Sequence, residues 1–199
     1  MKSAFGLDQQ NESIDSKLVV ALERVSEAFR VLLWQQSKEI ALSPIQIQIL
    51  LFVYFHAREL CNVTYLANEF NVTKATMSDS IKVLVQKTYL EKISDPNDTR
   101  SFTLKLSKEG KKIVLESANF AQKIEKPLSQ LPEDTKLSML DGLFNLIYEL
   151  NQSGVITVQR MCTLCSHYTN RKEKHYCNLL QRQLAAEQLR LDCPEFSSV

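Results

Sequence analysis

The 199-residue sequence predicts a mainly α-helical fold carrying a small β-wing, on three observations. Apolar residues recur at helical spacing in long segments at both ends of a central core. Hydroxyl residues stand just ahead of several of the apolar runs. One short stretch switches to strict alternation after a turn-rich hexapeptide. The hydrophobic share of 44% and charged share of 24% are those of a globular chain.

The first long helix is expected over 14–38. There Leu18, Leu22, Val25, Phe29 and Leu32 follow one another at four, three, four and three residues, a single helical stripe. Residues 1–13 are polar and read as a flexible N-terminus. Ser43-Pro44-Ile45-Gln46 starts a second helix: serine caps, proline suits the first helical position, and glutamine completes a capping box. The following IQIQIL alternates like a strand, but apolar residues continue through Tyr54, longer than a typical strand, so helix is preferred. A short helix over 63–70 follows, with Leu66, Ala67 and Phe70 on one side. Asn71-Val72 makes a turn. Thr73 then caps a helix through Lys87, with Ala75, Ile81, Leu84 and Val85 directed inward.

Residues 90–94 form one hairpin arm; Phe102, Leu104 and Leu106 alternate with Thr103 and Lys105 in the other, across the turn DPNDTR. Helix, turn, helix and hairpin in this order make a winged helix-turn-helix over 43–112. Ser107 caps a further helix to about Glu125. Leu137, Leu140, Phe144 and Ile147 mark a last one within 132–151. One small winged unit cannot bury both terminal stripes, so the helices 14–38 and 132–151 are expected to build a two-fold homodimer, completing a core over 14–151.

Several function classes are excluded. The four glycines (Gly6, Gly110, Gly142, Gly154) are too far apart for a phosphate-cradling loop. The three histidines (His56, His167, His175) make no HExxH pair, and no enzyme is expected. The longest apolar run, residues 49–55, is far below the ~20 residues of a membrane span. The opening MKSAFGLDQQNESIDSK resembles no secretory signal, so a cytoplasmic chain with no membrane partner is expected. Net charge is +1 overall but uneven: nine basic and six acidic residues give residues 61–112 a local +3. Phosphate binding needs such a local surface, although a solvated mixed-charge face gives the same count.

With these elements in place, the sequence resembles the MarR family of winged-helix transcription regulators. Leu42-Ser43-Pro44-Ile45-Gln46 is similar to the family's opening of the second helix, and Leu66-Ala67 to its Leu-Ala before the turn. Asp95-Pro96-Asn97-Asp98-Thr99-Arg100 resembles the wing signature. Leu106-Ser107-Lys108-Glu109-Gly110 resembles the Leu-Thr-x-x-Gly that closes the wing. One departure is Thr88, where many members have glycine; either the turn differs here or the site is strained.

The resemblance implies a homodimer binding double-stranded DNA at a pseudo-palindromic operator. A ligand, metal or redox signal would modulate it, with a small-molecule pocket between dimer helices and winged domain. Thr73, Lys74, Thr76 and Ser78 would face base edges in the major groove; Lys82 and Lys92 would meet phosphate. Arg100 would enter the minor groove, aimed by Asp98. The rival readings are a thiol–disulfide redox protein and a protein-interaction module.

Four of five cysteines fall in the last segment, 159–199: Cys162-x2-Cys165, then Cys177 and Cys193. A CxxC pair with two further cysteines can supply four thiolates to a metal. Structural zinc is the first expectation, an iron–sulfur cluster and a thiol redox switch share the next place, and structural disulfides come last in a reducing compartment. His167 and His175 read as exposed loop residues, and Cys61 as a small buried hydrophobe.

Overall fold

The computed structural model describes residues 3–94, 101–171 and 174–198. Within the stretch read as a flexible N-terminus, Leu7–Glu12 form a short helix, α1, with Asp8 in its first turn. Six residues are too few to show a helical period, so no local pattern announces it. Ser13 Oγ accepts from Ser16 N–H at 3.3 Å and opens α2 (Ile14–Ile40). The chain leaves α2 through Ala41 in the left-handed region (φ 51°).

Helix α3 (Pro44–Phe55) starts where Ser43 N–H donates to Gln46 Oε1 at 3.0 Å. The alternating IQIQIL is therefore helical: Ile47, Ile49, Leu50 and Phe52 are all buried, and this helix runs through the centre of the core. A 3-10 turn (Arg58–Leu60) leads into α4 (Val63–Glu69), capped by Asn62 Oδ1 accepting from Tyr65 N–H at 3.0 Å. Asn71 turns the chain with φ 49°, a conformation asparagine tolerates better than most residues.

Thr73 Oγ1 accepts from Thr76 N–H at 3.1 Å and begins α5 (Lys74–Gln86). Its buried row is Met77, Ser80, Ile81 and Leu84. Ala75, expected inward, is exposed and Val85 only half-buried. The true seam passes through Met77, and Ala75 lies two residues, about 200° around the helix, from it.

Strands β1 (Leu90–Ser94) and β2 (Phe102–Leu106) pair antiparallel, with Leu90 opposite Leu106 and Lys92 opposite Leu104. Leu104 N–H also donates to the Cys61 carbonyl at 2.8 Å, which ties the hairpin to the 3-10 turn. Helix α6 (Lys108–Ser117) is capped by Ser107, whose Oγ accepts from Gly110 N–H at 2.9 Å. The single helix expected to about Glu125 is broken after Ser117, where its hydroxyl donates back to the Ile113 carbonyl at 2.6 Å. Such back-bonding bends helices. Helices α7 (Gln122–Ser129) and α8 (Glu133–Gln152) follow.

The main core joins Ile47, Ile49, Leu50, Leu66, Met77, Ile81, Leu84, Leu90, Leu104 and Val114. Little of α2 enters it. Leu18, Leu22, Val25 and Phe29 are 55%, 38%, 49% and 41% exposed, an apolar row lying open along the helix. On α8 Phe144 is buried, but Met139, Leu143 and Leu146 are exposed. No single helix among the described residues is long and apolar enough to cross a membrane.

The last forty residues form a second lobe whose strands the sequence reading did not anticipate. Strands β3 (Tyr168–Arg171), β4 (Lys174–Cys177) and β5 (Arg182–Leu184) make an antiparallel sheet in that order. Ser198 bridges back to Cys165. Three or four residues are too few for a period-two signal against a polar background.

Candidate functional site

Helix α5 is held from beneath by Met77, Ile81 and Leu84 and turns Thr73, Lys74, Thr76, Ser78 and Lys82 outward. All five are exposed on one short helix. Thr73 serves as cap and also hydrogen-bonds the Thr76 hydroxyl at 2.9 Å, so the two threonines present one fixed polar edge. Asp79, not singled out from the sequence, is exposed among them and limits the positive charge of the face.

On the hairpin, Lys92 is exposed, with its ammonium 4.3 Å from the Phe102 ring centroid. Asp98 and Arg100, assigned to the wing tip, lie outside the described residues. Arg58, which sequence reasoning missed, donates from Nε to Thr103 Oγ1 at 3.1 Å. It lines an open cleft of about 620 Å³ with Asn62, Thr64, Ile93 and Phe102. No motif marks Arg58; only the pairing of the 3-10 turn with β2 brings it to the wing.

The turn that aims the wing answers the question left by Thr88. Tyr89 N–H donates to the Leu84 carbonyl at 2.9 Å and Thr88 N–H to the Val85 carbonyl at 2.9 Å, a Schellman ending. Thr88 has φ 61°. The turn is thus one that glycine suits, and a β-branched residue occupies it under strain. Gly110 packs against the same turn: a Cβ there would lie 2.1 Å from the Tyr89 carbonyl oxygen. That contact explains the glycine closing the wing motif.

Behind the helix-turn-helix lies a polar cluster that no motif announced. Arg160 is 6% exposed. Its guanidinium donates to both carboxylate oxygens of Glu69 (2.6 and 3.1 Å) and both of Asp192 (2.6 and 3.0 Å), and to the Tyr65 hydroxyl (2.9 Å). It also sits 5.2 Å from the Phe52 ring centroid. His56, stacked on Phe52 at 3.8 Å, meets Asp192 at 2.8 Å. Burial alone would lower the Arg160 pKa; the Asp192, Glu69 and Tyr65 bonds override it and hold the pKa above its ordinary value. One arginine thereby joins the second lobe to α3 and α4. Thr157 adds to the joint, donating to the Asn68 carbonyl at 2.6 Å.

In the second lobe, Cys162, Cys165, Cys177 and Cys193 line one cavity of about 40 Å³, beside His167. All are free thiols. Among the described residues no group of three His, Cys, Asp or Glu side chains is placed to hold a metal ion. Burial pushes the Cys162 thiol above its ordinary pKa. The histidines differ from expectation: both are half-buried, and His175, on β4, bonds the Tyr168 hydroxyl at 2.6 Å. Cys61 is buried in the main core, its thiol pushed up to about 11 chiefly by burial.

Helix, turn, exposed second helix and paired hairpin define a winged helix-turn-helix. Residues 42–101 match the model of the MarR family. A curated relative, the HTH-type transcriptional regulator BilQ of Clostridioides difficile, is 30% identical over 88 residues. That match spans 44% of this chain and 60% of the relative. Among solved structures, the S. aureus MepR–DNA complex is similar at 22% identity and TM-score 0.59, covering 66% of this chain and 97% of that one. Streptococcus pneumoniae FabT in complex with DNA is similar at 21% identity and TM-score 0.56, covering 68% and 98%. These likenesses establish the fold.

Proposed function

We propose that the protein is a non-enzymatic, sequence-specific DNA-binding transcriptional regulator, acting in the cytoplasm as a homodimer on a pseudo-palindromic operator. The observation that carries this reading is α5: anchored by Met77, Ile81 and Leu84, it offers Thr73, Lys74, Thr76, Ser78 and Lys82 together at the surface. A helix so mounted fits the major groove, with its first residues nearest the base edges and Lys82 nearer phosphate. Lys92, exposed on β1, adds a backbone contact. MepR and FabT, whose fold this chain shares, are seen bound to DNA.

The dimer rests on the open row Leu18, Leu22, Val25 and Phe29, together with Met139, Leu143 and Leu146. Pairing two copies removes these side chains from water and sets two α5 helices against half-sites roughly 34 Å apart. A ligand that prefers one spacing of the two heads would change operator affinity.

The test is selection of bound fragments from a random duplex pool, followed by a salt titration of the selected site. The expected result is a two-fold symmetric site, with each lost phosphate contact reducing the log–log salt slope by about 0.9. Lys74→Ala relaxes sequence preference, while Lys92→Ala weakens all duplexes alike. Leu22→Glu yields a monomer with weakened operator binding. A monomeric wild type that ignores every duplex at low ionic strength overturns the reading.

A further inference from the structure

The second lobe has too little interior to hold itself together. Among the described residues its buried ones are Arg160, Met161, Cys162, Cys165 and Leu184, while Leu179, Leu180 and Leu191 are 47%, 48% and 43% exposed. The hydroxyls of Thr163 and Thr169 are buried with no hydrogen-bond partner among the described residues. Small lobes of this kind depend on a cross-link.

Three separate segments bring the cross-linking atoms together. Cys162 and Cys165 bracket a 3-10 turn (Cys162–Leu164), with Cys165 N–H donating to the Cys162 carbonyl at 3.0 Å. Cys177 ends β4, opposite Tyr168. Cys193 is fastened beside them, its N–H donating to the Arg160 carbonyl at 3.0 Å. Arg190 N–H donates to Cys162 Sγ at 3.2 Å, and the Arg190 guanidinium lies 3.7 Å from Cys193 Sγ. These donors suit sulfurs that carry negative charge, as in the outer shell of a thiolate metal site. The four cysteines are among the residues lining one small void, and among the described residues no three of them are yet placed to hold a metal ion.

We propose that Cys162, Cys165, Cys177 and Cys193 take up one divalent cation of the zinc class, and that its binding tightens the lobe's grip on the helix-turn-helix. Four metal–sulfur bonds form as four thiol protons leave to solvent, with no change of oxidation state. The resulting four-thiolate shell carries two negative charges, which Arg190 faces. The grip is built into the same segments: Arg160 lies two residues before Cys162 and Asp192 one before Cys193, and together they hold Glu69 and His56. Drawing the sulfurs inward fixes both ends of that clamp. The inference is independent of whether the protein binds DNA.

The test adds cobalt(II) alone to the reduced full-length protein. The expected result is the intense visible spectrum of tetrahedral cobalt thiolate at one equivalent per chain, bleached by zinc, with Cys162, Cys165, Cys177 and Cys193 becoming protected from alkylation on metal loading. Cys177→Ser alters the spectrum; His167→Ala leaves it. Zinc loading slows amide exchange of Val63–Glu69 by about tenfold in the wild type and not in Arg160→Ala, which still shows the cobalt spectrum. Helical circular dichroism confirms that each variant keeps the main core. Reactive thiols without a thiolate spectrum, or thiols lost only to a reducible disulfide, overturn the metal site. A normal spectrum with unchanged exchange of Val63–Glu69 overturns the coupling.

Discussion

Replacing Gly110 by alanine sets two effects of opposite sign against each other. Alanine favours a helix over glycine by about 1 kcal/mol, less so in a first turn such as this one. Against that, the added methyl would stand 2.1 Å from the Tyr89 carbonyl oxygen and 3.0 Å from Leu106 Cδ2, where ordinary contact begins at 3.4 Å. The obstacle is backbone and cannot rotate away. It also accepts the Ser107 N–H at 3.1 Å, the bond that joins the start of α6 to the turn. Relief requires α6 to withdraw by about an ångström, with an overpacking cost near the upper end of 1–3 kcal/mol and loss of a hydrogen bond worth about 1 kcal/mol. Sterics win, and the net destabilisation is about 2–3 kcal/mol.

Gly142→Ala provides the control. A Cβ at Gly142 meets nothing within 4 Å of its own chain; its helical neighbours Ser138 and Asn145 are polar and exposed, while Met139 and Leu146 on its other side are apolar and exposed. The propensity gain of about 1 kcal/mol is unopposed within one protomer. Urea unfolding at fixed chain concentration reads both variants. The midpoint falls for Gly110→Ala and rises for Gly142→Ala. A neutral or stabilising Gly110→Ala would refute the close approach of α6 to the wing turn.

Thr88→Gly releases a left-handed β-branched residue, worth roughly 1–2 kcal/mol, against glycine's extra folding entropy of about 0.5–1 kcal/mol; thermal melts should show a slightly more stable protein. Cys61 is the least reactive of the five thiols, and alkylation time courses followed by peptide mapping should find it modified only on unfolding. Its raised pKa makes the folded state prefer the neutral thiol. That preference is fully present below the ordinary value of 9.0 and is lost as pH rises through about 11. Cys61→Ala should therefore lose less stability over that window than the wild type, in urea titrations at stepped pH. Ser43→Ala together with Gln46→Ala removes the start of α3 and should cost about 1–2 kcal/mol by the same unfolding assay.

The winged core was legible because its signals are local. Ser43, Asn62, Thr73 and Ser107 each stand at a helix start, and three of them accept a bond from the backbone three residues on. Leu104 and Leu106 are buried on alternating strand positions. Such patterns depend on torsions and neighbours within one or two turns, which a sequence displays directly. The outward residues of α5 could be named for the same reason, although its inner seam was placed slightly out of phase at Ala75.

What the chain alone determined was therefore the order of elements, the winged motif and a cysteine-rich tail of metal-binding composition. Tertiary structure decided the rest. It paired Arg58 with the wing, brought four distant cysteines to the lining of one void, and buried Arg160 between Glu69 and Asp192. Those contacts join residues 91 and 32 positions apart along the chain. No local pattern encodes them, because a buried charge gains its partners only when separate segments meet.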